Sequence, residues 1–245
     1  MKKNISIFTA ISLILCLSLS CNHPRQHVEG SGNPAVEYLD APADVRALLV
    51  AADVRVVLSP FDSTQLSIRA DDNVLPFVNV RIEGRKLRVG YDKLCDIEQK
   101  TPIVVTIPNT GKIVAIEALN GAFVTAESTL KSDNLDIFAA DGSMLDLMVE
   151  AKGCNVLLLK GAVCKMEGRV GQMDLRAKRH ARFRGEGVVA EKAKIELSGG
   201  SYCEIACQKS LDVKAKRGSE LRYRGPAELG EQHLSGGATA QKVEE

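Results

Sequence analysis

Residues 137–145 read Ile137-Phe138-Ala139-Ala140-Asp141-Gly142-Ser143-Met144-Leu145, and the pattern returns about every nineteen residues. With Gly142 as the anchor, equivalents fall at Gly121, Gly161, His180, Gly200, Gly218 and Gly237, at spacings of 21, 19, 19, 20, 18 and 19. Five positions before the anchor stand Ile116, Ile137, Val156, Leu175, Ile195 and Val213; three after it stand Val124, Leu145, Cys164, Phe183, Cys203 and Leu221. The residue directly after it is small each time: Ala122, Ser143, Ala162, Ala181, Ser201 and Ser219. A period of this length marks stacked repeat units. Apolar and polar residues alternate up to the anchor and again beyond it, the two-residue period of strands. Two short strands meeting at a glycine corner, with a third connecting side, make one coil of a parallel β-helix. The expected fold is therefore all-β, a right-handed parallel β-helix (solenoid), right-handed because parallel crossovers are. Each coil buries its apolar set by stacking on its neighbours. His180 is the exception among the first six anchors, and His tolerates a left-handed backbone better than most non-glycine residues.

Upstream, residues 35–115 hold shorter runs of the same alternation. They are Val54-Val56-Leu58, Leu66-Ile68-Ala70, Val78-Val80-Ile82, Leu87-Val89-Tyr91 and Ile103-Val105-Ile107. Turn signals at Ser59-Pro60, Glu83-Gly84 and Pro108-Asn109 separate them. The clearest hairpin joins Val78–Ile82 to Leu87–Tyr91. These strands are expected to pack on the repeat coils of 116–240 or to continue them. Asp71-Asp72-Asn73 has the oxygen-rich look of a calcium ligand set, but the spacing is not that of an EF-hand, and a turn closed by its own side chains is the preferred reading. No metal, cofactor or catalytic residue is expected.

At the amino terminus, Lys2 and Lys3 precede an apolar run from Ile5 to Leu19 and then Cys21, the layout of a secretory signal. It resembles a bacterial lipoprotein signal, with residues 1–20 removed and Cys21 lipidated, although Ser18 stands where such signals usually place Leu. Residues 21–34, rich in Gly, Pro, Asn and His, read as a tether to a domain spanning 35–245. The implied localisation is the cell envelope, as an outer-membrane lipoprotein on the periplasmic side or the cell surface, held to the membrane by its lipid. With Cys16 and Cys21 set aside, Cys95, Cys154, Cys164, Cys203 and Cys207 remain, an odd number without metal-ligand spacing. Core packing is their expected role.

Function has to be sought at the outward positions. In the early coils these are apolar: Phe123, Phe138, Met144 and Leu157, with Leu119, Leu159 and Val163. Stacked, they predict a continuous apolar face, either covered by the strands of 35–110 or left as a subunit or partner interface. Later coils turn basic. Residues 151–224 carry 17 Lys and Arg against 8 Asp and Glu, a net of +9 within a chain of +1 overall. Arg176, Lys178, Arg179, Arg182 and Arg184 surround His180, and Lys214, Lys216, Arg217, Arg222 and Arg224 follow two coils on. Glu196 and Glu204 stand between them, so these charges either lace one another or form a strip for a polyanion. The export signal and the scarcity of aromatics disfavour nucleic acid as the partner.

Ala70-Asp71-Asp72-Asn73-Val74-Leu75-Pro76, the hairpin after it, Val104-Val105-Thr106-Ile107-Pro108, Leu197-Ser198-Gly199-Gly200-Ser201 and Tyr223-Arg224-Gly225-Pro226 resemble the "putative auto-transporter adhesin, head GIN domain" family. The resemblance spans roughly 35–240. It implies a secreted or lipid-anchored β-helical protein of the type frequent in Bacteroidetes, with no established biochemical activity. Lys160-Gly161 and Arg179-His180 depart from the Ser-Gly-Ser/Ala-Gly corners usual there, which makes the basic corner particular to this chain. The expected function is a non-catalytic adhesin or binding module for an anionic glycan, another polyanion or a protein. Self-association into a structural homo-oligomer is the alternative, and a polysaccharide-degrading enzyme, with scattered Glu117, Asp146, Glu196, Glu204 and Glu220, comes third.

Overall fold

A computed structural model describes residues 26–92 and 94–244. The signal segment and Cys21 lie outside the described residues. In chain order the strands are β1 (Gln26–Glu29), β2 (Pro34–Asp40), β3 (Ala47–Ala51), β4 (Arg55–Ser59), β5 (Gln65–Asp71), β6 (Val78–Glu83) and β7 (Lys86–Tyr91). Next come β8 (Cys95–Glu98), β9 (Val104–Pro108), β10 (Ala115–Leu119), β11 (Phe123–Ala126), β12 (Leu130–Ala139) and β13 (Met144–Leu159). The last are β14 (Val163–Lys178), β15 (Arg182–Ser198), β16 (Tyr202–Lys216), β17 (Glu220–Arg224), β18 (Glu228–Ser235) and β19 (Thr239–Lys242).

From β10 onward successive coils pair in parallel, in register apart from local shifts such as those between Lys165 and Glu167, Gly185 and Val189, and Ala190 and Lys192, giving the predicted β-solenoid. The inward ladder Ile116, Ile137, Val156, Leu175, Ile195 and Val213 is almost wholly buried, as is Val124, Leu145, Cys164, Phe183, Cys203 and Leu221. The free cysteines Cys154, Cys164, Cys203 and Cys207 are buried in these stacks as small apolar side chains. Burial pushes the Cys154 thiol up to about 12 and raises those of Cys164, Cys203 and Cys207.

Each corner consists of two consecutive left-handed residues, not of one glycine. Asn120-Gly121, Asp141-Gly142, Lys160-Gly161, Arg179-His180, Gly199-Gly200, Arg217-Gly218 and Gly236-Gly237 all have positive φ. The amide of each second residue donates to the first residue of the next corner: His180 N to Gly199 O at 2.9 Å, Gly218 N to Gly236 O at 2.8 Å. At the first six corners the small residue that follows is buried, and Ser143, Ser201 and Ser219 donate their hydroxyls to the carbonyl three residues back at 2.7–2.8 Å. A larger side chain there would fill the space these hydroxyls span.

The amino-terminal strands continue the repeat coils and do not cover them, but they do so out of sequence order. β3 pairs with β10 on one side and β7 on the other; β4 sits likewise between β11 and β9. In space the coil of 86–108 is outermost, that of 47–59 lies inside it, and the coil of 115–126 comes next. The chain lays down its second coil, goes outward to build the first, and returns over residues 109–114, with Val114 N donating to Arg46 O at 2.8 Å. Antiparallel β5 and β2 close one sheet at this end and the β6–β7 hairpin closes another. Parallel stacking stops there.

The segment expected as tether is structured from residue 26. β1 pairs in parallel with β8, and the turn after it is held by Asp71-Asp72-Asn73. Asp71 is fully buried and accepts the amides of Gly32, Lys100 and Thr101 at 3.0–3.1 Å. Ser31 Oγ donates to Asp72 and Ser31 N to Asn73. The acidic cluster is thus a polar lock that binds residues 29–33 and 98–101 to the end of β5. Burial pushes the Asp71 carboxyl upward, but the hydrogen bonds from Thr101, Lys100 and Gly32 outweigh it and leave the carboxyl below its ordinary value.

A group held more acidic in the fold stabilises it above the unfolded value and loses that contribution as pH falls through the folded one. Asp71→Asn is therefore expected to cost about 1.5–3 kcal/mol at pH 7, the range for hydrogen bonds to a charged group, and to flatten the loss of stability below about pH 4. Urea unfolding at pH 7 and pH 3 measures both; equal slopes for the two proteins would refute it. At the corners, Gly142→Ala puts a methyl into open space at φ +76 and should cost about 1–2 kcal/mol. Gly168→Ala, at φ +115, drives its Cβ into the Val149 carbonyl oxygen and should cost more than about 3 kcal/mol, read from the same urea curves.

Candidate binding surfaces

The solenoid presents its outward residues as ladders, because in-register parallel pairing places equivalent positions one strand spacing apart. On the sheet before the corner, one ladder runs Leu49, Glu117, Phe138, Leu157, Arg176, Glu196, Lys214 and His233. On the sheet after it, another runs Arg55, Phe123, Met144, Val163, Arg182, Tyr202 and Glu220.

This placement divides the expected apolar face. Phe138 and Leu157 are neighbours on one sheet, Phe123 and Met144 on the other, and the corners Asn120-Gly121 and Asp141-Gly142 stand between the pairs. Nor do the strands of 35–110 fold over either pair; they extend the same two sheets. Phe138 and Leu157 are half-buried and border an open depression of about 400 Å³ together with Asp136 and Arg176. Met144 is 47% exposed, while Phe123 is half-covered by the Arg55 guanidinium, 5.1 Å from its ring.

The basic residues do meet. Arg176 and Lys178 lie before the corner, Arg179 in it, and Arg182 and Arg184 after it, all exposed, so they wrap one edge of the solenoid. Arg176 is committed to Asp174 at 3.3 Å and Glu196 at 3.4 Å. Among the described residues, Lys178, Arg179, Arg182 and Arg184 have no carboxylate within ion-pair distance. Two coils on the outcome is mixed: Lys214 pairs with Glu231, Arg222 with Glu220 and Arg224 with Glu204. Lys216 and Arg217 stay without a carboxylate partner among the described residues. Lacing and free charge thus coexist, and sequence alone did not sort them, because each pairing depends on the register between coils.

The scattered outward carboxylates are each held by a cation. Glu117 meets Lys86 at 2.8 Å, Asp146 meets Lys165 at 3.6 Å, and Glu204 takes both Arg224 and the Tyr202 hydroxyl, the latter at 2.7 Å. Burial and that hydrogen bond to Glu204 push the Tyr202 phenol up to about 12. The third, connecting side of the coils forms an open trough of about 1040 Å³ which sequence reasoning did not single out. Its charges are mostly paired, Lys131 with Glu150, Lys152 with Asp133 and Lys209 with Glu191. Among the described residues, no group of His, Cys, Asp and Glu is placed to hold a metal ion.

The family model described as "Putative auto-transporter adhesin, head GIN domain" matches residues 46–227. The chain belongs to this family. The matched span runs from the start of β3 to the end of the last well-buried coil and includes both apolar ladders and the basic edge. Among solved structures, a putative adhesin from Bacteroides fragilis NCTC 9343 is 18% identical, with a TM-score of 0.78 over 88% of this chain and 100% of that one. A putative adhesin from Parabacteroides merdae ATCC 43184 is 22% identical, with a TM-score of 0.69 over 89% and 100%. A putative lipid binding protein from Parabacteroides distasonis ATCC 8503 is 14% identical, with the same TM-score over 89% and 100%. At these identities the likeness is one of fold. No curated protein matches the chain.

The buried thiols give this geometry a chemical readout. A thiol-reactive dye added to the native protein should modify Cys95, which is half-buried outside the stacks, well before Cys154, Cys164, Cys203 and Cys207. Peptide mapping before and after urea checks this; early labelling of Cys164 or Cys203 would contradict the packed ladders.

Proposed function

We propose that this head GIN domain protein is a non-catalytic binding module of the cell envelope, anchored as an outer-membrane lipoprotein through Cys21, and that its basic edge engages an anionic glycan or similar polyanion. One observation carries the reading: Lys178, Arg179, Arg182 and Arg184 converge on a single edge of a rigid solenoid with no carboxylate partner among the described residues. Unpaired like charges gathered around one corner repel one another, and a polyanion laid along the edge relieves that repulsion. The adhesin description of the family points the same way. Catalysis is disfavoured because Glu117, Asp146, Glu196, Glu204 and Glu220 are each engaged by a cation, whereas glycoside hydrolysis needs two carboxyl groups set to flank the scissile bond.

Exposed charge pairs are weakened at high salt, where the screening length drops to about 3 Å at 1 M. The protein should therefore be retained on immobilised dextran sulfate at low salt and elute as salt rises, and Arg182→Ala with Arg184→Ala should elute at clearly lower salt. Passage of the wild-type protein through the resin at low salt would sink the reading. Self-association is the second reading, favoured by the uncovered Met144 and the Phe138–Leu157 pair. Light scattering at high concentration decides it, a monomer ruling it out.

A further inference from the structure

Between the corner Arg179-His180 and the corner Arg217-Gly218 lies one without side chains, Gly199-Gly200. We propose that this bare coil is a phosphoryl-binding subsite, built from Lys178 and Arg179 on one side, Lys216 and Arg217 on the other, and Ser198 at its floor. The proposal rests on the polyanion reading and names the group which that edge selects.

The backbone fixes the arrangement. Lys178, Ser198 and Lys216 stand in register on three successive coils. Arg179 N donates to Ser198 O at 3.1 Å, Gly199 N to Lys216 O at 3.3 Å, and Gly200 N to Arg217 O at 3.0 Å, which keeps the three corners stacked. At a strand spacing of about 4.8 Å, the two cation pairs start roughly 10 Å apart, and Lys and Arg side chains are long enough to close on a group between them. Neither Gly199 nor Gly200 sends a side chain into that space. His180 closes only its Gly200 side, with Nδ1 2.8 Å from where a Cβ at 200 would stand. On the sheet just before this corner a depression of about 260 Å³ opens, with Lys178, Ser198 and Lys216 in its wall beside Glu196, which Arg176 holds.

Charge selects the occupant. Three cations beside the notch are satisfied internally: Arg176 by Glu196, Lys214 by Glu231, Arg222 by Glu220. Lys178, Arg179, Lys216 and Arg217 have no carboxylate within ion-pair distance among the described residues, although a ladder carboxylate at position 198 would have met two of them. The sequence places a serine there instead, a hydroxyl that can donate to an anion. A phosphate monoester carries about −1.5 to −2 at neutral pH and three acceptor oxygens, which suits an Arg fork on either side better than a lone carboxylate does.

The test is amide-resolved NMR on the full chain, titrated with glucose 6-phosphate, inorganic phosphate and glucose. Saturable shifts at Ser198, Gly199 and Gly200 are expected with both phosphates and none with glucose. Tighter binding of glucose 6-phosphate identifies a sugar phosphate as the source, and equal binding identifies the free ion. Lys216→Ala with Arg217→Ala should weaken binding at least tenfold. Ser198→Glu, which plants a carboxylate in the notch, should abolish it, and Lys131→Ala, on the connecting side of the coils, should leave it intact. Unchanged binding in the Lys216/Arg217 variant, or shifts confined to Arg182 and Arg184, overturns the subsite while leaving the polyanion reading standing. Saturable shifts at Gly199 in a protein that dextran sulfate fails to retain support the subsite and dismiss the wider reading.

Discussion

Hydrogen bonds that run through the corners, and not only along the strands, hold the molecule in one register. At each corner two left-handed residues turn the chain while their amides stay aimed at the coil below, as in Gly142 N to Lys160 O and Gly161 N to Arg179 O. The ladder therefore passes around the bend without a break, and a slip of one residue at any coil would unseat both flanking sheets. The small residue after each corner follows from the same constraint, since it points into the narrowest part of the stack.

Strict register has a consequence for the surface. Side chains at equivalent positions lie about 4.8 Å apart, so the outer face is a grid whose chemistry is set by which coils carry which residue. Opposite charges on adjacent coils neutralise one another, as Lys160 does Asp141 and Arg176 does Glu196. Charges opposite an uncharged residue do not, as Lys178 beside Ser198 and Arg182 beside Tyr202, and Arg184 stays free because the Glu204 it faces is taken by Arg224 and the Tyr202 hydroxyl. A rigid grid of this kind loses little conformational entropy on contact with a polymer, which suits a binding role.

The amino-terminal end obeys a different logic. A parallel stack leaves an open edge wherever it stops, and exposed edges invite unwanted pairing. Antiparallel β2 and β5 with the β6–β7 hairpin end the stack by reversing strand direction. The placement of the coil of 86–108 outside that of 47–59 ties this cap to the coils by long-range contacts, and the buried Asp71 carboxylate fastens the preceding chain to it. Gly30 is required there, because a Cβ would collide with Asp71 Oδ2.

Local pattern determined a great deal. The period from Ile116 to Gly237, the inward ladders, the buried place of Cys154, Cys164 and Cys203, the 78–91 hairpin and the clustering of Arg179, Arg182 and Arg184 could all be read from spacing, because in a solenoid neighbours in space are one repeat apart in sequence. Where that rule fails, the sequence was silent. The swapped order of the first two coils and the reach of Asp71 to Lys100 and Thr101 join segments with no common period. The splitting of Phe123 and Met144 from Phe138 and Leu157 follows from the turn between them, which apolar character does not reveal. Which cations are paired and which are free was decided only by coil-to-coil register, since two residues twenty apart form an ion pair or miss one according to a shift of a single position.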